Sequence, residues 1–232
     1  MYTPKLLELF AGSRSLGKVA ARRGWRVFSV DIKPFAGIDL VADVNTMDVR
    51  DVPFIPDCIW ASPPCTTFSV LALRHYWTPN RTPKTEGTLA GIRIVINTLH
   101  VVAYFSRLNP RLVYYIENPR GMLRTLPVVR SMPRVTVSYC KYGEPRMKPT
   151  DIWTNNLRSA KNPLGWRPRK MCFPSNPDCG HEQCGGGQCG VQGQRNAYER
   201  SKIPAALCRE VLDAAERRTG HTGSFAGSGR NQ

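Results

Sequence analysis

Residues 5–17 read KLLELFAGSRSLG, an apolar run that closes on Phe10, Ala11, Gly12 and Ser13 and passes into a helical pattern. The run over 5–10 predicts a strand, and 13–23 predicts a helix with Leu16, Val19 and Ala20 on one face. A glycine at such a junction lets a ligand approach the backbone, and the helix start offers N–H groups to it. The same alternation continues outward. Residues 25–30 (WRVFSV) predict a strand ending at Asp31, and 38–42 one ending at Asp43. Residues 57–61 (DCIWA) predict a strand ending at Ser62, Pro63, Pro64 and Cys65; 112–116 (LVYYI) predict one ending at Glu117, Asn118 and Pro119. A long apolar helix is predicted over 89–108. Strands alternating with helices predict an α/β fold, a parallel sheet covered on both faces. Reactive and polar residues close five of these strands, the edge at which open α/β sheets bind ligands.

The second half is less regular. Residues 135–139 (VTVSY) and 151–154 (DIWT) predict strands joined by the basic turn CKYGEPRMKPT. Residues 157–195 are rich in Asn, Pro, Gly, Arg and Cys, residues 201–218 predict an amphipathic helix, and 219–232 a flexible tail. The chain of 232 residues suffices for one sizeable domain. No unbroken apolar run of about 18 residues occurs, so no membrane partner is expected. The start lacks a secretion signal and there are eight cysteines, which predicts a reducing, cytoplasmic setting in which thiols bind metal, react or lie buried. The net charge is +16, and +10 of it lies in residues 120–170. Charge clustered in this way is the footprint of a nucleic-acid partner; the plainer reading is a solvated basic surface.

Three places carry chemistry. The Pro63–Pro64 pair stiffens the chain where it leaves the sheet, which holds the Cys65 thiol at the rim as a candidate nucleophile. Such a thiol needs its pKa lowered, and nearby basic residues could do so; the plainer reading is a core cysteine. Glu117, ending an apolar strand, is either paired with an arginine or a carboxyl of raised pKa that hydrogen-bonds a substrate. Asp31 and Asp43 could accept hydrogen bonds from ribose hydroxyls and an amino group, or serve as turn residues. The loop 73–88, with Arg74, His75, Tyr76, Trp77, Arg81 and Lys84, interleaves base and aromatic ring as phosphate contact and base stacking require; alternatively its aromatics fold inward.

Taken in order, ELFAGSRSLG, ASPPCTTFS, IENPRG, YCKYGEPRMKPTDIWTN and RSKIPAALCREVL resemble the successive motifs of the DNA cytosine-5 methyltransferase family. The resemblance covers residues 5–155 and 196–215, and the small size is most similar to phage- or prophage-encoded members. It implies a Rossmann-like catalytic core over 1–156 and a terminal helix, 196–218, returning to the cofactor loop. It implies S-adenosylmethionine as cofactor, held by Phe10, Gly12, Asp31, Asp43 and Pro63 with Ala11, Ser13, Ile32 and Val44 beside them. It implies a monomer acting on double-stranded DNA with the target base flipped out. It implies that Cys65 adds to carbon 6 of cytosine and that Glu117 binds ring nitrogen 3 and the exocyclic amine, with Arg146 and Lys148 in the basic motif. Activity on RNA or nucleotides, or a silent DNA-binding protein, are the alternative readings. The sequence departs from the family pattern at Arg14, where a second glycine is usual, and at Thr66, Pro119, Thr150 and Ser201.

The segment 157–195 stands where the family carries a target-recognition region. Within it Cys172, Cys179, His181, Cys184 and Cys189 lie in the pattern Cys-x6-Cys-x-His-x2-Cys-x4-Cys. Five candidates for four tetrahedral places suit a zinc ion; free surface thiols are the plainer reading. Cys58, Cys140 and Cys208 sit on apolar patterns and are expected in the core.

Overall fold

The computed structural model describes residues 2–181 and 197–220, apart from the side chains of Leu71 and Ala197. Seven strands form one sheet: β1 (Lys5–Leu9), β2 (Arg26–Asp31), β3 (Leu40–Val41), β4 (Cys58–Ala61), β5 (Val113–Pro119), β6 (Arg134–Ser138) and β7 (Pro149–Thr154). Their spatial order is β3-β2-β1-β4-β5-β7-β6. The first five strands are parallel, as alternation with helices or long crossovers requires. β7 runs antiparallel to both β5 and β6, so the sheet is mixed rather than wholly parallel. The reversal follows from the short connection between β6 and β7, which is long enough for a turn and too short for a parallel crossover.

Both faces are covered. Helices α1 (Ser15–Arg22) and α3 (Ala205–Thr219) lie on one face, where Leu16, Ala20, Leu207, Val211 and Leu212 meet Leu6, Trp60 and Tyr115. Helix α2 (Glu86–Leu108) covers the other, burying Val95, Val101, Val102 and Phe105 against Leu7, Leu9, Ile59 and Ile116. By length and composition alone α2 could cross a bilayer; here its apolar stripe is spent on the sheet. The return of α3 to α1 is fixed by polar contacts too. Arg23 pairs with Asp213 at 2.5 Å and Glu216 at 2.7 Å, and Ser15 Oγ accepts from the Ile203 amide at 3.1 Å.

α1 begins without a capping side chain of its own: its first flanking residue, Arg14, is left-handed at φ 54° and makes no side-chain cap. The cap comes instead from β1. Glu8 Oε1 accepts from the Leu16 amide at 3.2 Å and the Gly17 amide at 3.1 Å. Any Cβ at position 17 would collide with that carboxylate, so the glycine there is required by close approach. Two of the helix-start N–H groups expected to be free for a ligand are therefore occupied by the protein itself.

The loop after β4 also differs from expectation. Trp77 is buried, donates from Nε1 to the Thr67 carbonyl at 2.6 Å and packs on Phe68. It anchors the loop rather than offering a stacking face, while Arg74, His75, Arg81 and Lys84 stay exposed.

Candidate active site

β4 and β5 are hydrogen-bonded neighbours, with Ala61 opposite Ile116. The chain leaving β4 therefore runs past the last residues of β5. Asn118 fixes that meeting: its Nδ2 donates to the Pro63 carbonyl at 2.8 Å, from a wholly buried position. Its Oδ1, also buried, has no hydrogen-bond partner among the described residues. Glu117, 4% exposed, accepts from the Tyr139 hydroxyl at 2.9 Å and has Lys148 Nζ at 4.0 Å. Lys148 also lies over the Tyr139 ring, 4.6 Å from its centre, and donates to the Arg200 carbonyl at 3.0 Å.

These groups reach Cys65. Burial, and then the charge of Glu117, raise its thiol above the ordinary cysteine range; Lys148 and Arg200 pull it back. The expected lowering is thus present in part, but the net shift is upward because desolvation and a neighbouring carboxylate both oppose a thiolate. Replacing Lys148 by Met removes one of the two opposing cations. The pH profile of iodoacetamide alkylation at Cys65, followed by peptide mapping, is expected to move to higher pH, with alkylation near neutrality slowed several-fold. An unmoved profile contradicts this electrostatic coupling.

Arg146 does not point its charge freely at the site. It is buried and paired with Glu144, whose Oε1 lies 2.5 Å from Nη2. Three residues not singled out by sequence reasoning, Asn118, Tyr139 and Arg200, belong with Cys65, Glu117 and Lys148. Each sits inside a quoted motif, so the signal was present, but only the topology brings β5, the end of β6 and the segment before α3 to one place.

The candidate cofactor loop adjoins this site along the same edge. Gly12 has φ +45° and a Cβ there would touch nothing nearer than 3.9 Å, so conformation demands the glycine while the space above it stays open. Asp31 braces the loop, Oδ2 accepting from the Gly12 amide and Oδ1 from the Lys33 amide, both at 2.9 Å. Asp43 Oδ1 accepts from the Asn45 amide at 2.9 Å in the local turn expected of such a residue. Phe10 is left-handed at φ 56°, Ala11, Ser13 and Val44 are buried, and Ile32 is 62% exposed. Arg14 directs its Nε to Ser29 Oγ at 3.0 Å, accommodating in a left-handed conformation the position where glycine is usual. A cradle with two carboxylates at its rim fits a cationic, ribose-bearing cofactor.

Of the metal candidates, Cys172, Cys179 and His181 do come together, but with Cys140. Cys140 is therefore not a core thiol. Cys184 and Cys189 lie outside the described residues.

A mixed seven-stranded sheet with a glycine loop after its first strand and carboxylates after the next two defines the class: a Rossmann-like α/β fold with its candidate ligand site at the carboxyl edge of the sheet. No family model matches the chain. It is 26% identical over 218 residues to a "Probable DNA (cytosine-5)-methyltransferase" of Frog virus 3 (isolate Goorha), a match covering 90% of this chain and 99% of that protein. Among solved structures, DNMT2 of Spodoptera frugiperda aligns with 68% of this chain and 52% of its own, at 18% identity and a TM-score of 0.42. The Entamoeba histolytica methyltransferase EhMeth aligns with 74% of this chain and 58% of its own, at 13% identity and a TM-score of 0.45. The match to the viral protein runs nearly end to end, and it is a likeness to a protein bearing a cytosine-5 methyltransferase name.

Proposed function

We propose that this protein methylates carbon 5 of cytosine in double-stranded DNA, with Cys65 as nucleophile and S-adenosylmethionine as methyl donor. The observation that carries the reading is the Asn118–Pro63 hydrogen bond, which ties the Cys65 loop to the end of β5 where Glu117 is held. Phe10, Gly12, Asp31, Asp43 and Pro63 would hold the cofactor, which would supply an electrophilic methyl group to carbon 5. The chain's own residues prepare that carbon. The Cys65 thiolate forms a bond to carbon 6, moving electron density to carbon 5. Glu117, oriented by the Tyr139 hydroxyl, binds ring nitrogen 3 and the exocyclic amine where charge changes. Once carbon 5 is methylated its proton passes to water, the C–H electron pair re-forms the 5,6 double bond, and the Cys65 sulfur leaves carbon 6 as thiolate. Reaching the pocket takes the base out of its stack, at a few kcal/mol.

The viral relative's name supports DNA over RNA. The test is transfer of tritiated methyl from S-adenosylmethionine to duplex DNA and RNA in parallel. Label in duplex DNA as 5-methylcytosine is expected. Label in RNA alone transfers the reading to RNA; tight DNA binding with no transfer favours the silent protein, for which Arg14 in the cofactor loop is the supporting feature.

Of the twelve basic residues in 120–170, Arg120, Arg130, Arg134, Arg158, Lys161, Arg167, Arg169 and Lys170 are exposed. If most of these neutralise phosphates, the logarithm of DNA affinity falls against the logarithm of salt with a slope of about −5 or steeper. Fluorescence anisotropy across a salt series measures it, and a slope shallower than about −2 removes the role of this stretch.

A further inference from the structure

We propose that Cys140, Cys172, Cys179 and His181 form a Cys3His zinc site that clamps the segment after β7 onto the turn following β6. One ligand atom from each lies within 4.8 Å of all the others. Tetrahedral zinc with thiolate bonds of 2.3 Å sets ligand atoms roughly 3.8 Å apart. Cys172 Sγ and His181 Nδ1 already stand 3.7 Å apart.

The surroundings are those of a prepared site. His181 is 5% exposed and its Nε2 faces the Pro174 carbonyl at 3.1 Å. That carbonyl can only accept, so it holds the proton on Nε2 and leaves the Nδ1 lone pair aimed at the thiols. Cys172 is fully enclosed, and the Asn176 side-chain Nδ2 donates to its sulfur at 3.3 Å. No carboxylate belongs to the group. Three sulfurs and one imidazole select zinc over magnesium or calcium. An odd number of thiols about an imidazole also suits a metal better than a disulfide, which would leave one sulfur unused.

The clamp joins parts that already touch. The Cys172 amide donates to Ser138 Oγ at 3.0 Å, and Arg169 donates through its amide to the Tyr142 hydroxyl at 3.0 Å and through Nη1 to the Lys141 carbonyl at 2.6 Å. Cys140 lies in the single-turn helix Tyr139–Tyr142, next to the tyrosine that orients Glu117. A metal held there would steady the turn that carries Tyr139. Only this last consequence rests on the methyltransferase reading; the metal site stands without it.

The protein as purified without chelator, analysed by inductively coupled plasma mass spectrometry, is expected to carry about one zinc per chain. Cys140→Ser lowers this to about a tenth or less, whereas Cys184→Ser and Cys189→Ser leave it unchanged. Zinc retained in Cys140→Ser but lost in Cys184→Ser or Cys189→Ser overturns the ligand set. A zinc-free folded protein, or a disulfide among these cysteines, overturns the site. Should Cys140→Ser fail to fold, hydrogen exchange of the native protein decides. Stripping the metal with a chelator is expected to speed exchange in peptides spanning 138–142 together with those spanning 169–181. Faster exchange in 169–181 alone excludes Cys140.

Discussion

Cys65→Ala is expected to lower methyl transfer by at least about four orders of magnitude, because removing a covalent nucleophile deletes the step rather than weakening it. That corresponds to roughly 5–6 kcal/mol of transition-state stabilisation. Cys65 is partly exposed and follows the Pro63–Pro64 pair in a loop, so truncating it creates no core cavity and costs under about 1 kcal/mol of folding stability. DNA affinity is expected to stay within a few-fold of the unaltered protein, since the phosphate contacts proposed above fall in residues 120–170. The outcome is read by tritium transfer with binding measured on the same preparation. Appreciable residual transfer by a folded Cys65→Ala protein removes the covalent mechanism, and unchanged transfer removes Cys65 from the site.

Much of this site was legible in the sequence for a physical reason. In a parallel sheet each strand delivers its last residue to one edge, so the residues closing β1, β2, β4 and β5 share that edge without any knowledge of the loops. What local pattern does not encode is direction and distance. Residues 149–154 form a nearly wholly buried strand, and nothing in them says that β7 opposes β5. Cys140 lies far up the chain from Cys172, on an apolar run that reads as core until β6 and the later segment are seen side by side. Trp77 was read among basic neighbours as a stacking ring, but its indole carries more apolar area than the exposed loop can leave in water. Glu8 is the sharpest case: within an apolar run it looks like one polar interruption, and its role appears only when α1 is docked above it.

Glu8 also sets a pH dependence whose sign is opposite to that of most carboxylates. It is 2% exposed, and burial lifts its pKa from 4.5 to about 7, against the opposing pull of the Gly17 amide, Ser29, Arg14 and the Leu16 amide. Between these values the folded protein holds a proton that the unfolded chain has released. Stability from this group is therefore complete below about pH 4.5 and is lost as pH rises through about 7. The shift corresponds to roughly 3 kcal/mol. Glu8→Gln cannot ionise, yet its amide oxygen still accepts from the Leu16 and Gly17 N–H groups and its amide nitrogen can donate to Ser29 Oγ, now 3.2 Å from the carboxylate. The variant is expected to match the unaltered protein near pH 5 and to exceed it by up to about 3 kcal/mol at pH 8. Urea unfolding of both proteins across that range isolates Glu8, because every other titrating group is common to the pair. A difference that stays flat with pH would mean the carboxyl titrates at its ordinary value. One that shrinks toward alkaline pH would mean that the ionised carboxylate gains more from the amides and the dipole of α1 than it loses on leaving water.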